Sequence, residues 1–291
     1  MKSVLQRILS FTLYPLLLAV VLSIIYLSIT YHWDYKAVYW KTTLFLLTTL
    51  MISEWIFPLS KDWSMTGRSF FRDVKYIFFD APTIGLTKAG IGLFGIYYSE
   101  NHQGLFTNKP VLISTIIFLL VFEFFQYWFH RFSHSGKGFM GQFLWKVHVA
   151  HHLPDRVYVL MHAVFNPINA FISTAIIQLT LVLLGIPPAA ALAATLLIDL
   201  QSLISHFNAD IRAGFFNYIF IGTETHRFHH SANIHEAKNF GNTLAIWDIV
   251  FGTFSYRPGV NPEKLGVANK NKYPKSENVL KVLAYPFVKT H

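Results

Sequence analysis

The sequence predicts an all-α, integral membrane helical bundle with a polar, histidine-rich cap on one side. Three observations lead there. Hydrophobic residues make up 53% of the 291-residue chain and charged residues only 13%, about half the charged share usual in soluble domains. The apolar residues gather in runs long enough, or nearly so, to cross about 30 Å of hydrocarbon. Eight of the fourteen histidines fall in three short motifs between or beyond those runs.

The first apolar run extends from about Ile8 to Ile29 and follows a basic start, Met1–Arg7. It is too long for the core of a signal peptide, and no clear small-x-small cleavage site follows it, so an uncleaved anchor is expected. The second run extends from about Val38 to Leu59. The third, about Ile77 to Tyr98, contains Asp80, Pro82, Lys88 and several glycines. It is expected as a broken or re-entrant helix, tolerable where it packs against protein. The fourth, Val111 to Phe129, leads straight into His130. A later stretch, Val164 to Ser205, is interrupted by Gly185-Ile186-Pro187-Pro188 and is expected to form a helical hairpin. From Phe207 onward the chain is more polar. From Asn261 it is rich in Lys, Asn and Pro, as expected of a surface tail with one short helix near Leu280–Tyr285. The division expected is 1–110 for the N-terminal membrane helices, 111–256 for the histidine-bearing domain and 257–291 for a polar tail.

The net charge is +9, but the basic residues lie in the loops between apolar runs rather than on a patch of a soluble fold. That distribution argues for membrane orientation and against nucleic acid. With Met1 in the cytosol, the opposite loops hold only Lys36, Lys41 and Lys109, and Lys88 lies within the third run. The other twenty of the 24 Lys and Arg then fall on the cytosolic side, together with every histidine motif. The chain is thus expected to be multi-pass, in a bacterial inner membrane or the endoplasmic reticulum. It has no cysteine, which excludes disulfides, thiolate zinc sites and a built-in iron–sulfur cluster.

The motifs are HRFSH, with His130 and His134; HVAHH, with His148, His151 and His152; and HRFHH, with His226, His229 and His230. On a helix, residues three and four apart share a face, so each motif aims two or three imidazoles in one direction. Neutral imidazole binds zinc, copper, iron and nickel. Eight imidazoles exceed the four that one tetrahedral ion takes, so two ions are expected in this cap. His206, which ends the hairpin, is a candidate ninth ligand. His162 is a candidate to hydrogen-bond around the site rather than to ligate, and His235 to do the same or to lie in a loop, while His32, His102 and His291 are given no role. Glu123 and Gln126 precede His130 by seven and four residues on its helical face. Glu123 is a candidate to orient a metal-bound imidazole through its free N–H, or equally to bond a neighbouring helix. Asp210, four residues after His206, is a further carboxylate to consider. Four classes fit these residues: a lipid oxygenase, a metal transporter, a zinc-dependent hydrolase and a zinc-stabilised scaffold. Transport would favour ligands nearer the bilayer midplane.

The chain resembles the fatty acid hydroxylase superfamily, which includes sterol desaturases, sphingolipid hydroxylases and alkylglycerol monooxygenase. The resemblance runs from about Glu54 to Tyr256. It rests on EWIFP at Glu54–Pro58, EFFQYWFHRFSH at Glu123–His134, WKVHVAHH at Trp145–His152 and HFN at His206–Asn208. THRFHHS at Thr225–Ser231, NFG at Asn239–Gly241 and WDIVFGTF at Trp247–Phe254 complete it. One departure is Asn166 before Pro167, where many members carry His-Pro and a nearby arginine. The resemblance implies a membrane oxidoreductase with a His-rich di-iron centre, using O₂ as co-substrate to hydroxylate or desaturate a lipid such as a fatty acyl chain or sterol. It implies electrons from a separate donor protein and carries over the eight motif histidines, with His206, as iron ligands. Zinc is expected as a misloaded substitute for iron.

Overall fold

The computed structural model describes residues 4–288; Lys2, Lys289 and His291 lie outside the described residues. Among the described residues the chain is helical throughout, with isolated β-bridges and no strand. The first three helices are α1 (Val4–Thr30), α2 (Tyr35–Ile56) and α3 (Gly67–Asn101). Then come α4 (Val111–Ser133), α5 (Gly138–His152), α6 (Pro167–Leu184) and α7 (Pro188–Ser205). Short helices α8 (Thr223–His229), α9 (Ile246–Val250) and α10 (Val279–Ala284) follow.

Four of these, α1, α4, α6 and α7, are long and apolar enough to cross a membrane. Large apolar side chains such as Phe11, Leu16, Leu93 and Leu112 stand exposed on the bundle, which suits lipid rather than water. The expected third segment is not broken: α3 runs unbroken for 35 residues with Pro82 inside it, about 52 Å at 1.5 Å per residue. Its charged residues keep it, like α2, below the apolarity of the other four. Packing along α6 supports it.

Local sequence accounts for the helix ends. Asp34 caps α2 by accepting from the N–H groups of Lys36 and Ala37, and Thr66 and Ser69 form a reciprocal cap on α3. Asn166 caps α6 with Pro167 in its first turn, so the departure from His-Pro has a structural use. The hairpin turns at Gly185, whose φ of 63° is left-handed. A Cβ on Gly185 would collide with the Gly104 Cα. Gly185→Ala therefore meets both a backbone penalty and a clash, and a loss of about 2–4 kcal/mol of stability is expected, read as a lower thermal midpoint in detergent.

α7 is the central helix, packed by α1, α2, α4 and α8, and its apolar residues form the core with Phe118, Phe122 and Phe207. A second core gathers Tyr76, Val149, Tyr158 and Met161 with Leu265, Val267, Val279 and Val282. The segment expected as a surface tail thus anchors itself with buried side chains, and α10 falls where the short helix was expected.

Candidate metal centre

The C-terminal ends of four helices converge. His130 lies in the last turn of α4 and His134 caps it; His148, His151 and His152 end α5; His206 caps α7; His226 and His229 end α8 and His230 caps it. Helix C-termini carry partial negative charge and favour a cation. All nine rings gather in two adjacent groups. One holds His130, His134, His148, His152 and His229, the other His151, His206, His226 and His230, and within each the ring nitrogens lie within 4.8 Å of one another. The groups touch, with the rings of His152 and His230 stacked at 4.5 Å. Each HxxHH motif divides: its i, i+4 pair enters one group and its middle histidine the other.

Backbone and side-chain groups hold the outer nitrogen of five of the nine rings. His130 Nδ1 donates to the Phe240 carbonyl at 2.8 Å and His148 Nδ1 to Asn169 Oδ1 at 3.0 Å. His151 Nδ1 donates to the Val164 carbonyl at 3.1 Å and His229 Nδ1 to that of Lys238 at 3.0 Å. His206 Nδ1 meets the Ser205 hydroxyl at 2.9 Å and the Ser202 carbonyl at 3.3 Å. A neutral imidazole has one N–H, so these bonds leave the inner Nε2 atoms as bare lone pairs. Burial lowers the pKa of His148 to about 4 and keeps it neutral at pH 7. Burial does the same for His206 and His229, to about 3, with the neighbouring His162 and His148 rings making protonation harder still.

These bare lone pairs face one another. His130 Nε2 stands 3.1 Å from His148 Nε2, which is 3.0 Å from His152 Nε2. In the second group His206 Nε2 lies 3.0 Å from His151, 3.1 Å from His226 and 3.2 Å from His230. Lone pairs at this separation repel unless a cation lies between them. At a metal–nitrogen distance of about 2.1 Å, neighbouring ligands stand about 3.0 Å apart at 90° and about 3.4 Å apart at 109°. The buried Nε2 atoms of His134 and His229 have no other partner. The donor set therefore fits two imidazole-bound ions.

Other expected residues fall elsewhere. Glu123 touches no imidazole. Its carboxylate accepts from the backbone N–H groups of Asn242 and Thr243, so it fixes the loop whose Phe240 carbonyl receives His130. Asp248 holds the same loop, accepting from Phe240 and Gly241 at 2.8 and 2.7 Å. His235 is exposed in a turn outside both groups, because the chain swings outward after Ser231. His162 donates from Nδ1 to the Val159 carbonyl at 2.8 Å and lines the cavity beside the second group. Asp210 pairs with Arg212 at 3.1 Å. Asn169 carried no sequence signal beyond being polar in an apolar run.

A cavity of about 380 Å³ opens on both groups. α3, α4, α6 and α7 wall it, with Ile77, Ile84, Phe122, Phe129 and Ile177 among its apolar lining and His130, His148, His151, His206 and His226 at its end. Residues 115–253, which contain all nine histidines, match the fatty acid hydroxylase family. That stretch is similar to a fatty acid hydroxylase domain. It is 27% identical to ornithine lipid hydroxylase OlsE of Rhizobium tropici over 266 residues, 85% of this chain and 76% of that protein. It is 32% identical to alkylglycerol monooxygenase of Danio rerio over 130 residues, 44% of this chain but only 28% of that protein. No solved structure matches the chain. Like these fatty acid hydroxylase relatives, it is an oxidoreductase-type membrane enzyme.

Proposed function

We propose that the chain is a di-iron, O₂-dependent lipid hydroxylase whose nine clustered histidines are the iron ligands. One observation carries the reading: two imidazole groups with inward lone pairs end a mostly apolar cavity walled by α3, α4, α6 and α7. Bound iron would supply activation of O₂ toward an unactivated C–H bond. The net change is one oxygen atom into the lipid and one into water, with two electrons and two protons consumed. The chain's own residues bind, orient and exclude water. Ile77, Phe122, Phe129 and Ile177 would hold the lipid against the centre. The acceptors on Nδ1 of His130, His148, His151, His206 and His229 hold those rings aimed inward, as outer partners do at metal sites.

Asn169→Ala removes the acceptor of His148, and a fall of about 10–100-fold in metal affinity is expected, measured by chelator competition. The excess of Lys and Arg in the loops that share a side with the histidine motifs supports a cytosolic centre. Within this sequence no cysteine could hold an iron–sulfur cluster, which supports electrons arriving from a separate carrier protein. A lipid of the class named for the Rhizobium relative is a reasonable first substrate.

The test is to supply purified protein in lipid nanodiscs with membrane lipid extract, a reductant and ¹⁸O₂. The reading expects a lipid that gains one ¹⁸O; loss of two hydrogens without oxygen would assign desaturation instead. Oxygen taken from water in the absence of O₂ would overturn the reading in favour of a hydrolase.

A further inference from the structure

The same cavity carries polar groups that the histidine centre does not use. Asp80 on α3 and Gln126 on α4 both line it, at 5% and 8% exposure. Asp80 lies near the backbone of Phe165, whose ring stacks on His151 at 4.4 Å. Its Oδ1 is buried without a partner, and so is Gln126 Oε1, whose amide nitrogen is held by Ser173 at 3.2 Å. Gln126 lies one helical turn before His130, about 6 Å along the axis.

Buried acceptors without donors are costly, and an ionisable side chain among membrane helices calls for a partner. The lining holds a second carboxylate, Asp199, and neither Lys nor Arg. Asp199 is already supplied: the Thr43 hydroxyl donates to it at 2.6 Å, and Tyr39 and Lys88 also act on it. Asp80 has no ion-pair partner among the described residues. What fits two free acceptors is a group with several donors and no acceptor. An ammonium has three donors and no acceptor, whereas a carboxylate or phosphate brings only acceptors and negative charge.

We propose that Asp80 and Gln126 form a headgroup subsite that binds the ammonium of an amine-bearing lipid within the cavity. This rests on the cavity being the substrate pocket. It makes Asp80 a specificity-determining residue that discriminates against anionic lipids such as free fatty acids.

Binding of hexadecylamine, hexadecanol and palmitate to the full-length protein in dodecyl maltoside tests this directly, read by native mass spectrometry at pH 7. The three share a chain and differ only in headgroup. Hexadecylamine is expected to bind at least about tenfold more tightly than either other probe. Asp80→Asn is expected to bring the three within about threefold of one another, while Asp155→Asn, an exposed carboxylate paired with Lys270, leaves the preference intact. If Asp80→Asn fails to fold, Gln126→Leu is read in its place, with a reduced preference expected. Equal affinities in the unaltered protein, tighter binding of palmitate, or a preference surviving both variants would overturn the proposal. The probes need not react, so a preference without lipid oxidation would sink the hydroxylase reading alone. Lipid oxidation without a preference would sink the subsite alone.

Discussion

Replacing His148 with alanine is expected to empty the five-histidine group and to lower lipid hydroxylation by more than about 100-fold, the upper end of what losing an outer partner alone costs. Its Nε2 stands between those of His130 and His152, at 3.1 and 3.0 Å, so its loss opens the centre of that cluster. Metal analysis and turnover on the same preparation check it, with size-exclusion behaviour showing that the bundle persists. His235→Ala serves as the contrast. That side chain is exposed and outside both groups, and unchanged metal content is expected. Full activity and metal in His148→Ala would mean that this histidine is not a ligand.

Glu123→Ala is expected to cost about 2–6 kcal/mol of stability, because it strands two backbone donors, the half-buried one of Asn242 and the buried one of Thr243, at about 1–3 kcal/mol each. It also frees the loop carrying the Phe240 carbonyl, which receives His130 Nδ1 at 2.8 Å, so weaker metal binding is expected alongside. Glu123→Gln keeps an acceptor and should fall between. Thermal unfolding in detergent and metal affinity measure the two effects. A melting midpoint unchanged in Glu123→Ala would show that the loop is held by Asp248 without it.

Much of this was legible in the residues because helical spacing is a geometric rule. His130 and His134, His148 and His152, and His226 and His230 are each four apart, and each pair entered one group. The fate of the middle histidines was not legible. Whether His151 and His229 join their own pair or the facing one depends on how α5 and α8 oppose each other, which no local pattern encodes. Glu123 misled for a related reason. It shares a helical face with His130, but the partners that reach that face come from the loop at Asn242 and Thr243, more than a hundred residues later. Asn169 was missed because a polar residue in an apolar helix marks a contact without naming it. His235, five residues after His230, takes the loop alternative because a turn rather than a helix follows Ser231. The continuity of α3 was obscured by Asp80, Pro82 and Lys88, and the helix runs on because it packs along α6.

The most direct measurement is the metal content of detergent-purified protein after iron-replete growth, with Mössbauer spectroscopy on the same sample. The two histidine groups predict about two irons per chain, both lost or disordered when His148 and His206 are replaced together. A folded protein that takes up no iron under these conditions, and whose host lipids do not change when those histidines are replaced, would contradict the account.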